Sequence, residues 1–132
     1  MIDSIVSLAK MDESIELVWL YGSRAQGTHH QESDFDLAVA FNDHSLSAFA
    51  LRTRPECLAM EWAEHLELPL DKVSIVDINH IPIALAFNVI EYGKLIYNNN
   101  PLLFYKEQNR INSMFEYQLI ESKRSASYEY RS

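Results

Sequence analysis

The sequence predicts a mixed α/β domain, a small mixed β-sheet flanked by helices. Three observations carry this expectation. The chain has 132 residues, 48% of them hydrophobic and 23% charged, the balance of one globular domain with enough apolar material for a core. Two runs, Ile15 to Tyr21 (IELVWLY) and Asp34 to Phe41 (DFDLAVAF), are rich in β-favouring residues. Around them, apolar residues recur at helical spacing.

Taken in order, Ile2, Ile5, Val6, Leu8 and Ala9 mark an N-terminal helix. Ile15 to Tyr21 reads as a buried strand that stops abruptly at Gly22-Ser23. In the second strand, Asp34 to Phe41, the residues Phe35, Leu37, Val39 and Phe41 face one way. Asn42 to Ser45 supplies a turn and a helix cap. Leu46 to Leu66 then reads as helix, interrupted or restarted at Pro55. Pro69 precedes a third strand, Lys72 to Ile78 (KVSIVDI). Pro82 opens a helix to about Tyr92, closed by Gly93. Lys94 to Tyr97 is a short fourth strand. Pro101 to Arg124 is a long amphipathic helix, followed by a frayed tail, Ser125 to Ser132. The resulting order, α-β-turn-β-α-β-α-β-α, fits a mixed sheet with helices packed on it. Trp19 and Trp62 are expected in the core, as are most apolar positions of the last helix. Tyr117, Tyr128 and Tyr130 are expected at the surface.

Composition narrows the function classes. Eleven Lys and Arg oppose nineteen Asp and Glu, for a formal charge of −8. Residues 1–100 hold 6 basic and 15 acidic side chains, net −9; residues 101–132 hold 5 and 4, net +1. Such an acidic body lacks the basic stripe that binds phosphate backbones, so no direct nucleic-acid partner is expected. A nucleotide neutralised by a metal, a cationic small molecule or a protein partner stays open. No stretch approaches the roughly 18 apolar residues of a membrane span, and the N-terminus lacks the apolar run of a secretory signal. The single cysteine, Cys57, forms neither an internal disulfide nor a zinc cluster. A cytoplasmic protein is expected.

Residues 22–36, GSRAQGTHHQESDFD, carry the chemistry. Gly22 has no Cβ, so a phosphate can approach its backbone closely. Ser23 adds a hydroxyl and an N–H at the start of a short helix, where free N–H groups favour anions. Asp34 and Asp36 lie two positions apart on a strand, hence on one face and roughly 6.6–6.8 Å apart along it. Two ionised carboxylates this close repel each other unless a cation sits between them. Mg²⁺ suits such a site, with substrate phosphates completing its octahedron. A phosphate-cradling turn facing a carboxylate pair is equipment for nucleotidyl or phosphoryl transfer. Arg24 matches phosphate oxygens bidentately, with a surface role as the alternative. His29 and His30 read as a solvated loop rather than as metal ligands.

The pattern Gly-Ser, ten residues, Asp-x-Asp resembles the signature of the DNA polymerase β-type nucleotidyltransferase superfamily. The surrounding YGSRAQG and SDFDLAV, together with the short chain, resemble its minimal nucleotidyltransferase branch. The resemblance covers about residues 15–97, with the C-terminal helix, about 101–124, placed by analogy; residues 1–132 then form a single nucleotidyltransferase domain. It implies two Mg²⁺ ions on an aspartate cluster and transfer of a nucleoside monophosphate from an NTP to a hydroxyl. By that resemblance Gly22 and Ser23 bind the β- and γ-phosphates, while Asp34 and Asp36 are catalytic metal ligands; Arg24 joins the phosphate-binding residues on its own chemistry. A third carboxylate is expected on the following strand, where alignment finds Ser74 instead. Asp71 is the favoured substitute, reaching the site if the strand begins with a bend. Asp77 is the alternative, but its odd spacing from Ser74 turns it to the opposite face.

The chain leaves little beyond a catalytic core, so another molecule must present the acceptor. The resemblance implies a HEPN-type RNase toxin as that partner, in a type VII-like toxin-antitoxin pair. The antitoxin would transfer AMP from ATP to a toxin tyrosine. Two alternatives accompany it: an antitoxin that acts by binding alone, motivated by Ser74, and an aminoglycoside nucleotidyltransferase, for which an acidic surface suits a polycationic substrate.

Overall fold

Ile15–Tyr21 and Phe35–Phe41 form the two central strands, β1 and β2, paired antiparallel. Val73–Asp77, β3, lies parallel to β2, and Lys94–Asn98, β4, lies antiparallel to β1. The sheet order is therefore β3-β2-β1-β4. The computed structural model describes residues 1–28 and 33–131, with side chains described up to residue 125. His29 and His30, and the side chains of Tyr128 and Tyr130, lie outside the described residues.

Among the described residues the α-helices are α1 (Ile2–Lys10), the short α2 (Ser23–Gln26), α3 (Ala48–His65), α4 (Ile83–Tyr92) and α5 (Pro101–Arg131). A 3₁₀ turn, Leu70–Lys72, leads into β3. Alternation along β2 separates two apolar layers. Phe35, Leu37, Val39 and Phe41 point to one face, as expected, and bury against Ile5 and Ala9 of α1 and Leu58, Ala59, Trp62 and Ala63 of α3. Ala38 and Ala40 point to the other, where Trp19, Ala86 and Val89 of α4 and Ile111 of α5 close the core. Asp36 belongs to this second face, because it alternates with Phe35 and Leu37. Among the described residues, no helix is long and apolar enough to cross a membrane.

Three features differ from the expectation. α3 runs unbroken through Pro55. A proline there removes the N–H that would bond the Leu51 carbonyl, but buried residues downstream anchor the helix to the sheet. Its cap is Ser47, whose hydroxyl accepts from the Ala50 N–H at 3.2 Å. The earlier Asp43 is engaged locally instead, accepting from the N–H (3.0 Å) and hydroxyl (2.7 Å) of Ser45. Finally, residues from Ser125 onward continue α5 to Arg131 rather than forming a tail.

Candidate active site

β1 ends at Tyr21, and its register sets Tyr21 opposite Asp36. The next residue, Gly22, turns the chain with φ 74° and ψ −154°, a conformation essentially restricted to glycine. Its carbonyl accepts from the N–H groups of Ala25 and Gln26, both at 3.2 Å, which starts α2. A Cβ on Gly22 would lie 2.5 Å from Asp36 Oδ2. Glycine is therefore required twice, for the backbone angle and for the space that the carboxylate occupies. The turn and the acid are in direct apposition, with the half-buried Ser23 following.

Asp34 sits one residue before β2, and Asp36 is the strand's second residue. Asp34 is open to solvent and Asp36 half-buried. Burial, and after it the charge of Asp34, push the Asp36 carboxyl above its ordinary value. Tyr21 is raised as well, by burial and then by Asp36. Excess negative charge thus collects beside the glycine turn, and a divalent cation would relieve it. Two hard carboxylates fit Mg²⁺, which commonly takes one or two from protein and the rest from phosphate and water.

The other expected residues are distributed differently. Arg24 donates from Nε (3.1 Å) and Nη2 (2.8 Å) to the Ser33 carbonyl, and its guanidinium lies 3.8 Å over the Phe35 ring. These contacts brace the segment that presents Asp34, a role the sequence reading missed. Asp71 is exposed on the 3₁₀ turn. Among the described residues no three His, Cys, Asp or Glu side chains could together hold a metal ion. Ser74, exposed on β3, is registered directly with Asp36. Asp77 is buried on the opposite face, as its spacing predicts. It accepts from the Asn79 N–H at 2.9 Å and contacts His80 Nδ1 at 3.0 Å, with Arg54 Nη2 3.8 Å away. Lys72, overlooked in the sequence, places Nζ 3.9 Å from Asp34 Oδ1. The parallel β2–β3 pairing, once known, is the signal that finds it.

Comparison with known proteins agrees with this geometry. The profile of the family described as polymerase beta, nucleotidyltransferase, matches residues 3–102. The chain is 27% identical over 99 residues to the protein adenylyltransferase MntA of Aphanizomenon flos-aquae, covering 74% of this chain and 66% of that protein. It is 28% identical over 113 residues to the protein adenylyltransferase MntA of Shewanella oneidensis, covering 85% of this chain and 73% of that one. The chain thus spans about two thirds of the first relative's length. Its fold superposes on a crystal structure of a toxin-antitoxin with AMP-PNP at a TM-score of 0.72 and 27% identity, covering 97% of this chain and 95% of that chain. With the glycine turn and both aspartates inside the matched residues, the chain belongs to the polymerase beta nucleotidyltransferase family.

Proposed function

We propose that this chain is the antitoxin of a type VII-like pair, a cytoplasmic protein adenylyltransferase acting on a HEPN-type RNase toxin. It transfers AMP from ATP, with Mg²⁺, to a tyrosine hydroxyl of that partner and thereby silences it. The observation that carries this reading is the apposition of Gly22 and Asp36, so close that a Cβ cannot intervene. The names of its two relatives, both protein adenylyltransferases, support the reaction type. A likeness to a toxin-antitoxin structure holding an ATP analogue supports nucleotide and partner.

In this mechanism the backbone at Gly22 and Ser23 receives the β- and γ-phosphates. Asp34 and Asp36 would hold Mg²⁺, and Arg24 keeps the Asp34 segment in place. When bound, Mg²⁺ neutralises the triphosphate and stabilises the entering and leaving oxygens. The phenolic oxygen bonds to the α-phosphorus and releases its proton to solvent, the bond to the bridging oxygen of the β-phosphate breaks, and pyrophosphate leaves. A phenol, with a pKa of about 10, gives up that proton more readily than an aliphatic hydroxyl does. That suits a site where serine stands level with Asp36.

Intact-mass analysis of a HEPN-type partner incubated with the chain, ATP and Mg²⁺ tests the proposal. The partner is expected to gain mass in steps of one AMP, and Asp36→Ala is expected to abolish the gain. The second reading, neutralisation by binding alone, is favoured by Ser74 at the position level with Asp36. An unmodified partner that both the wild-type and Asp36→Ala chains still neutralise would establish it.

A further inference from the structure

The parallel pairing of β2 with β3 sets Phe35 beside Val73 and Asp36 beside Ser74. Continued one step back, it sets Asp34 beside Lys72, and the Nζ to Oδ1 distance of 3.9 Å confirms that the two side chains meet. The row Lys72–Ser74 therefore runs alongside the row Asp34–Asp36, on the face that holds the glycine turn. Lys72 is thus a cation that the fold itself brings to Asp34.

We propose that Lys72 has two tasks at this site: it neutralises Asp34 before the divalent ion arrives, and it contacts the phosphates of the nucleotide afterwards. The assignment rests on the adenylyltransferase reading above. Asp34 is exposed, at 51% of its side chain, and Lys72 is half-buried, at 33%. Such a pair is weak and screened, so it is a poor staple for the fold and easily exchanged. A lysine ammonium is a compact point charge on a flexible four-carbon stem. It can leave Asp34 without backbone movement and follow negative charge as that charge arrives. A divalent ion on Asp34 and Asp36 removes the attraction between Asp34 and Lys72, while the triphosphate it carries supplies a stronger one. One side chain then hinders binding of the bare ion and favours binding of the ion with its nucleotide.

Those opposite signs define the test. Calorimetric titrations of wild-type, Lys72→Met and Lys72→Arg chains use Mn²⁺ alone, then AMP-PNP in excess Mg²⁺. Lys72→Met is expected to bind Mn²⁺ alone roughly threefold more tightly, since the lost competitor is a screened charge. It is expected to bind Mg²⁺–AMP-PNP roughly tenfold more weakly, the effect of one charge-assisted contact. Lys72→Arg restores nucleotide binding, and all three chains melt at the same temperature. Wild-type nucleotide binding that Lys72→Met leaves unchanged overturns the assignment and spares the function. Both affinities falling together with the melting temperature also overturns it, because Lys72 would then be structural. A wild-type chain that takes up Mn²⁺ but no AMP-PNP overturns the function itself, and the phosphate task of Lys72 with it.

Discussion

Gly22 and Gly27 both hold positive φ, at 74° and 75°, yet they predict different mutants. Gly27 has ψ near 12°, the left-handed helical region, and nothing lies within 4 Å of a Cβ placed there. Gly27→Ala is expected to cost about 1 kcal/mol and leave metal binding intact. Gly22→Ala meets a rarer backbone region, worth about 1–3 kcal/mol, and drives a methyl into Asp36. It is expected to lose stability in urea and to lose Mn²⁺ affinity, whereas the Gly27 variant loses only the first. Asp36 supplies a pH prediction. Its folded carboxyl is raised, so the folded state binds a proton more readily than the unfolded chain does. Stability from this group is present below the ordinary aspartate value and is lost as pH rises through the raised folded value. Asp36→Asn removes that loss. The metal-free variant should melt higher than wild type at neutral pH and equally at a pH where both are uncharged, while transferring no AMP. Equal melting temperatures at every pH would contradict the cause assigned to the shift.

At the scale of elements, the strands were the most legible part of the sequence. Ile15 to Tyr21 is buried along most of its length, and its shortness, its aromatic and β-branched residues and the glycine that follows favour strand over helix. The face of β2 was legible as well, because Phe35, Leu37, Val39 and Phe41 alternate with small or acidic residues. Strand pairing was not. Nothing local in KVSIVDI says that β3 lies parallel to β2, and this pairing decides that Lys72 meets Asp34. The third carboxylate was sought near Ser74 by alignment, and the register places Ser74 where that argument did. Asp71 sits in a 3₁₀ turn before β3 rather than in the strand. Pro55 misled because proline reports a local penalty, while α3 is held together by burial of Leu58, Ala59, Trp62 and Ala63 against the sheet. The role of Arg24 was hidden for the opposite reason. Its acceptor, the Ser33 carbonyl, is a backbone atom that carries no signature in the sequence.

At the scale of the whole molecule, the buried contacts of α5 among the described residues end well before the helix does. Ile111 is fully buried in the second apolar layer, and Phe115, one turn further on, stacks on Phe87 of α4 with centroids 3.9 Å apart. Beyond it Tyr117, Leu119 and Ile120 are exposed, although α5 continues to Arg131. The family match also ends early on α5, at residue 102. Helical residues without tertiary contacts add little to global stability, since packing of one face supplies most of a helix's stability. Two variants should therefore separate the halves of α5. Ile111→Ala opens a cavity between the sheet and α5 and is expected to cost about 2–5 kcal/mol. A chain ending after Gln118 should keep the wild-type urea midpoint and lose only helical signal in far-UV circular dichroism. If instead the truncated chain unfolds as readily as Ile111→Ala, the outer half of α5 belongs to the cooperative unit, and burial does not mark where this fold ends.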